Sequence, residues 1–169
     1  MTVFSFSILL SFEQESKFKN ENVEGDIFFM AWTTTPWTLP SNLGLTVGVN
    51  IEYSLVQSFN PYTHELQNVV IATALIHKYF KEEGKNAEFS TYQKEDKIIP
   101  WKVLKAFTGK DLEGIKYEQL ISGEANSLDK IQEIAPDADP FRIVLGDFVT
   151  TEDGTGIVHT APAFGADDY

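Results

Sequence analysis

The sequence predicts a mainly β fold: a closed or nearly closed β-barrel with a few peripheral α-helices, α+β by content. Three observations lead there. Short β-prone runs recur along the chain, separated by turn signals. Only one stretch carries clear helical spacing. The N-terminal run alternates apolar and polar residues, the period of a strand with one buried face. At 169 residues the chain predicts one domain over 1–169, long enough to bury a sizeable core.

In chain order, Phe4, Phe6, Ile8, Leu10 and Phe12 set the first strand. The charged segment 13–24 reads as a solvated connection. Asp26 to Thr33 is an apolar run that predicts a buried strand. Gly44 to Gly48 and Glu52 to Val56 are further strands. Asn60-Pro61-Tyr62-Thr63 is a turn signal before a strand at Val69-Val70-Ile71. The helix is expected from Thr73 to Glu83. Leu75, Ile76, Tyr79 and Phe80 share one face, Thr73 stands at the N-cap position, and Gly84 stands at the stop. Short β-prone runs follow at 88–92 and 103–107. Segments 109–114 and 122–129 read as connections, and Leu128 to Ala135 as a short helix stopped by Pro136. Phe141 to Leu145 predicts a strand, interrupted at Gly146-Asp147 and resumed over 148–150. Gly156 to His159 is the last.

Composition narrows the function. The net charge of -12 has the wrong sign for a free-standing nucleic-acid binder. With no cysteine, disulfides and thiolate metal sites are excluded. No apolar run is long enough to span a membrane, and the N-terminus lacks the basic start of a signal peptide. The expected location is the cytoplasm, with no membrane partner.

Two polar clusters stand out. The first is Trp32-Thr33-Thr34-Thr35-Pro36-Trp37-Thr38-Leu39-Pro40-Ser41-Asn42, directly after a strand. Pro36 and Pro40 bias the residues before them toward extended backbone. A stiff, extended rim of hydroxyls is expected, suited to polar ligand contacts at low entropic cost. The second runs from Asp153 through Gly154-Thr155-Gly156 and His159 to Asp167-Asp168-Tyr169. His159 ends its strand as Thr33 ends its own, and two such ends can converge on one pocket. Asp167 and Asp168 follow a Gly-Ala pair that can open a helix. No spacing among these residues is diagnostic of a metal site.

At these clusters the chain resembles the editing domain of isoleucyl-tRNA synthetase, the connective insertion in the catalytic domain of that class I family. The run at 32–42 looks like the family's threonine-rich motif. Gly154-Thr155-Gly156-Ile157-Val158-His159-Thr160-Ala161-Pro162 and Gly165-Ala166-Asp167-Asp168-Tyr169 look like its second motif. Valyl and leucyl editing domains carry Arg where Thr35 stands and an acidic residue where Trp37 stands, so Thr35 and Trp37 point to the isoleucyl member. The synthetase's nucleotide-binding signatures are absent, which leads to the expectation of a domain excised from a larger synthetase and without synthetic activity.

The resemblance implies hydrolytic proofreading: cleavage of valyl-tRNA(Ile) and valyl-adenylate, with isoleucine excluded. One methylene is worth only ~1–3 kcal/mol in an apolar pocket, a figure for which isoleucine against valine is the standard example. A second sieve is therefore needed. An aminoacyl ester is already activated toward water, so the site must hold it, position water and stabilise the oxyanion. By resemblance, Asp168 holds the α-ammonium. Thr33, Thr34 and Thr35 surround the ester, the terminal adenosine and the water. His159 lines the side-chain pocket and limits its size, and its service as a base stays open. Trp32 and Asn42 support the adenosine end, and Thr38, Ala161 and Asp167 complete the substrate-binding set. The implied partners are the 3′-terminal aminoacyl-adenosine of isoleucine tRNA, valyl-adenylate and the remainder of the synthetase. No cofactor and no metal are expected.

Two other readings follow from the residues. Asp153-Gly154-Thr155-Gly156 superficially resembles the Asp-Thr-Gly loop of aspartic proteases, with an extra Gly interrupting it, and a homodimer would have to supply the second carboxylate. Trp32, Trp37 and Trp101 could instead form a non-enzymatic stacking platform.

Overall fold

A computed structural model of the chain describes residues 4–9, 18, 23–124 and 126–162. Among the described residues eight strands form one sheet: β1 (Phe4–Leu9), β2 (Asp26–Thr33), β3 (Gly44–Val47), β4 (Glu52–Phe59), β5 (Leu66–Ala72), β6 (Trp101–Thr108), β7 (Arg142–Leu145) and β8 (Ile157–Thr160). The order is β6-β4-β5-β2-β8-β3-β7, with β1 paired to β2 off this path. β2 is the branch point. It pairs antiparallel with β1, parallel with β5 over Asp26–Phe29, and parallel with β8 where Trp32 meets Val158.

Alternation along β2 buries Ile27, Phe29, Ala31 and Thr33 on one face. Each large apolar side chain so buried contributes about 2 kcal/mol. β4 is buried from Tyr53 to Ser58, as a central strand covered on both faces should be. The Tyr53 hydroxyl accepts from Gly48 N (2.9 Å) and donates to Gly156 O (2.7 Å). Burial pushes its pKa up to about 12, against the opposing effect of the Gly48 hydrogen bond, so it remains a donor.

The mainly β expectation holds, but the barrel is not closed. β6 and β7 end the strand order and do not pair with each other among the described residues, so the sheet curls into a half-barrel. Closure requires that the two edges meet. The segment 114–117 occupies the outer edge of β7 instead. Gly114 N donates to Ile143 O, Ile143 N to Ile115 O, and Tyr117 N to Phe141 O.

Several local expectations are corrected. The helix expected over 73–83 is a 3-10 turn (Thr73–Leu75), then α1 (Ile76–Tyr79), then a second 3-10 turn (Glu82–Gly84). Phe80 leaves the helix with φ -121° and ψ 123°, and its ring packs 5.6 Å from that of Trp101. Thr73 is not the cap, since its hydroxyl bonds Ser54 Oγ at 2.8 Å. Segment 88–92 is a 3-10 turn (Phe89–Thr91) begun by the Glu88 carboxylate, which accepts from Ser90 N. Segment 109–114 opens with α2 (Gly109–Leu112), held by a reciprocal capping box between Thr108 and Asp111. α3 (Leu128–Ile134) is capped by Ser127 and stops before Pro136. No strand resumes at 148–150. In the segment expected to be solvated, Phe18 is buried against Phe29 and Phe107, and Val23 is buried too. Phe12 lies outside the described residues.

Candidate functional site

β2 ends at Thr33, and the next residues do not extend as expected. Pro36–Ser41 is a 3-10 helix with Pro36 in its first turn, where a missing N–H costs nothing. Thr35 turns the chain at φ -127°, ψ 66°. Its N–H donates to Thr33 Oγ1 at 3.0 Å, a local hydroxyl turn of the kind threonine favours. Thr38 Oγ1 donates back to Thr35 O at 2.8 Å. The three hydroxyls thereby gather: Thr33 Oγ1 lies 3.3 Å from Thr35 Oγ1, and Thr35 Oγ1 lies 3.4 Å from Thr38 Oγ1. Thr34 is half-buried, and Trp37 is exposed.

β8 runs antiparallel to β3, with His159 opposite Leu45. This carries His159 to the threonine turn, where Nε2 lies 3.0 Å from Thr38 Oγ1. On its other side Nδ1 lies 2.8 Å from Asn42 Nδ2. Asn42 Nδ2 also donates to Gly44 O at 2.9 Å, and Asn42 Oδ1 accepts from the Tyr117 hydroxyl at 2.6 Å. His159, Asn42, Thr38 and Tyr117 are all buried.

The donor inventory orders these protons. A carbonyl accepts only from a donor, so Gly44 O fixes the amide nitrogen of Asn42 on its side. That nitrogen then donates to His159 Nδ1. The ring carries its hydrogen on Nε2 and donates to Thr38 Oγ1, whose own proton goes to Thr35 O. Protonating Nδ1 would set an N–H against the Asn42 NH2. Both ring nitrogens are thus committed within the protein, and the ring offers a pocket its carbon edge. The Tyr117 hydroxyl is held far above the usual phenol range by burial, with the Asn42 bond opposing, and stays a donor.

The loop before β8 is held by its carbonyls. Lys78 Nζ donates to Glu152 O at 2.6 Å, Tyr79 Oη to Gly154 O at 3.1 Å, Ala72 N to Thr155 O at 3.0 Å, and Tyr53 Oη to Gly156 O. Gly154 takes φ +65° and lies flat on Trp32, where a Cβ would fall inside the indole ring. Trp32 Nε1 is buried with no hydrogen-bond partner among the described residues. Asp153 is exposed and lies 3.7 Å from Lys78 Nζ.

The fold therefore brings together Thr33, Thr35, Thr38, Asn42 and His159. Trp32 lies on the opposite side of β2 from Thr33 by strand alternation, against the 152–156 loop. Ala161 is buried just beyond β8. Asp167 and Asp168 lie outside the described residues. Among the described residues no three of His, Asp and Glu converge as metal ligands would. A cavity of about 640 Å³ opens elsewhere, lined by Met30, Phe59, Tyr62, Tyr79 and Phe80 among others, and none of the expected site residues lines it. Sequence reasoning missed Tyr117. Its only signal is the alternation Ile115-Lys116-Tyr117, too short to name a strand.

No protein-family model matches the chain. It is 52% identical over 149 residues to the isoleucine--tRNA ligase of Cytophaga hutchinsonii, covering 88% of this chain and 12% of that protein. It is 50% identical over 147 residues to the isoleucine--tRNA ligase of Porphyromonas gingivalis, covering 86% and 12%. The chain thus spans about an eighth of the length of these relatives. Its fold is similar to the cytosolic leucyl-tRNA synthetase editing domain of P. falciparum, with TM-score 0.64 at 13% identity, over 99% of this chain and 63% of that one. The corresponding domain of P. knowlesi gives 0.64 at 14% identity, over 99% and 61%.

Proposed function

As the counterpart of an isoleucyl-tRNA synthetase segment with the fold of a synthetase editing domain, this chain is, we propose, a proofreading hydrolase that removes valine from tRNA(Ile) and from adenylate while sparing isoleucine. The observation that carries the reading is the Thr38–His159 contact at 3.0 Å, which joins the threonine turn after β2 to the end of β8 in one buried cluster. Such a site has hydroxyls to orient an ester and a water but no activated nucleophile. An aminoacyl ester needs no more than that. The Thr33 and Thr35 hydroxyls face the ester. By the motif match, Asp168 is assigned to the α-ammonium, and Asp167 and Ala161 to substrate binding. The remainder of the synthetase supplies the tRNA grip.

In this reading His159 is a wall and not a base, because both its ring nitrogens are committed to Thr38 and Asn42. Attraction cannot exclude the larger side chain, since burying one more methylene is favourable. Exclusion must be steric, from a rigid surface. The test compares His159→Ala with wild type, in the full-length protein, on valyl-tRNA(Ile) and isoleucyl-tRNA(Ile). The variant is expected to deacylate isoleucyl-tRNA, which wild type spares. A variant active on valyl-tRNA that still spares isoleucyl-tRNA would place the wall elsewhere. A wild type inactive on valyl-tRNA would overturn the function.

A further inference from the structure

We infer that Tyr117 is a positioning residue for discrimination: its hydroxyl, acting through Asn42, locks the His159 ring in the neutral Nε2–H form and in the orientation that makes it a wall. The inference rests on the proofreading reading above and names the residue outside the motifs on which the sieve depends.

Three distances carry it. Tyr117 Oη donates to Asn42 Oδ1 at 2.6 Å, the Asn42 amide nitrogen donates to His159 Nδ1 at 2.8 Å, and Nε2 reaches Thr38 Oγ1 at 3.0 Å. Every proton in this chain runs one way, from Tyr117 toward the threonine turn. Tyr117 is 3% exposed, so no water replaces its hydroxyl as donor to Asn42. The tyrosine is itself held from outside the two motifs. Its N–H donates to Phe141 O on the outer edge of β7, and its ring meets that of Phe141 edge-on at 6.3 Å. The segment that keeps the sheet from closing thus also delivers the donor that orients the wall.

Without the hydroxyl, Asn42 Oδ1 is buried and unpaired. Gly44 O then holds the amide alone, so the preference for nitrogen toward His159 narrows, and the turned amide, which presents oxygen to Nδ1 at the cost of the Gly44 bond, stabilises the Nδ1–H form. The ring is then no longer tied to Thr38 by its Nε2 hydrogen, and the wall loosens.

The experiment is Tyr117→Phe, read in two ways. Nitrogen-15 spectra of the three histidine side chains report the tautomer of His159, assigned by its loss in His159→Asn. His64, bonded to the Tyr92 hydroxyl, and the exposed His77 serve as internal controls. Wild type is expected to show the Nε2–H form. Tyr117→Phe is expected to show Nδ1–H or a mixture at His159 alone, with the two controls unmoved. The second readout is the ratio of isoleucyl-tRNA to valyl-tRNA deacylation, expected to rise roughly three- to tenfold for the loss of one neutral hydrogen bond. Phe141→Leu disturbs the packing of the Tyr117 ring but keeps the hydroxyl, and is expected to leave tautomer and ratio at their wild-type values. An unchanged His159 tautomer in Tyr117→Phe overturns the inference. So does a shifted tautomer with an unchanged ratio, or an equal effect from Phe141→Leu. Should wild type lack turnover on valyl-tRNA, the proofreading reading fails, and the spectra alone still decide whether Tyr117 controls His159.

Discussion

The Asn42 amide donates to Nδ1 of His159 across 2.8 Å, although 117 positions separate the two in the chain. One residue ends the threonine-rich run and the other lies in the last described strand, so this bond joins the two motifs directly. It also gives Nδ1 of the histidine a partner inside the protein.

Asn42→Asp reverses that bond. A carboxylate cannot donate to Nδ1 and meets Gly44 O, which Asn42 now satisfies at 2.9 Å. Leaving these buried groups mismatched is expected to cost about 1–3 kcal/mol. Urea denaturation of the two proteins at neutral pH measures it. Equal stabilities would show that the network carries no net energy.

Gly154→Ala should be costlier than an ordinary surface change. The residue sits at φ +65°, and its Cβ would fall inside the Trp32 ring. Strain of ~1 kcal/mol or more adds to displacement of the indole. Expected outcomes are a lower denaturation midpoint and a change in Trp32 fluorescence. A variant with the wild-type midpoint would mean that the loop rests on its carbonyl bonds alone.

The capping box of α2 predicts a pH dependence. The Asp111 carboxyl is held below its ordinary value of 3.8, first by the Thr108 backbone N–H and then by the Thr108 hydroxyl. A depressed carboxylate pKa stabilises the fold above the unfolded value, and the contribution is lost as pH falls through the folded value. The stability difference between wild type and Asp111→Asn should therefore be full at about pH 6 and smaller at about pH 3, since it fades as pH falls below the ordinary carboxyl value toward the folded one. Denaturant titrations at both values check it. A difference undiminished in acid would assign the effect to helix propensity.

Charge predicts weak affinity for nucleic acid. With net charge -12, the chain by itself is expected to bind uncharged tRNA at physiological salt with Kd above about 1 μM, in the non-specific range. Filter binding or fluorescence anisotropy measures this. Tighter binding would require a basic surface that the composition does not suggest.

β2 was legible from residues 26–33 because an apolar run is a local signal, and the structure bounds it there. α3 was legible because Pro136 stops a helix locally, and Ile134 ends it before that proline. The two motifs were legible as motifs. What the sequence could not determine depended on partners far along the chain. Phe80 leaves the helix for Trp101, and the expected extended rim becomes a 3-10 turn because the Thr38 hydroxyl reaches back to Thr35 O. The barrel stays open because residues 114–117 take the edge of β7. His159 meets Asn42, which meets Tyr117 in turn, and neither is its neighbour in sequence. By itself the sequence determined which residue types stand at each strand end. Only the tertiary structure decided which donor faces which acceptor, because a buried hydrogen bond is set by the groups that long-range pairing brings within reach.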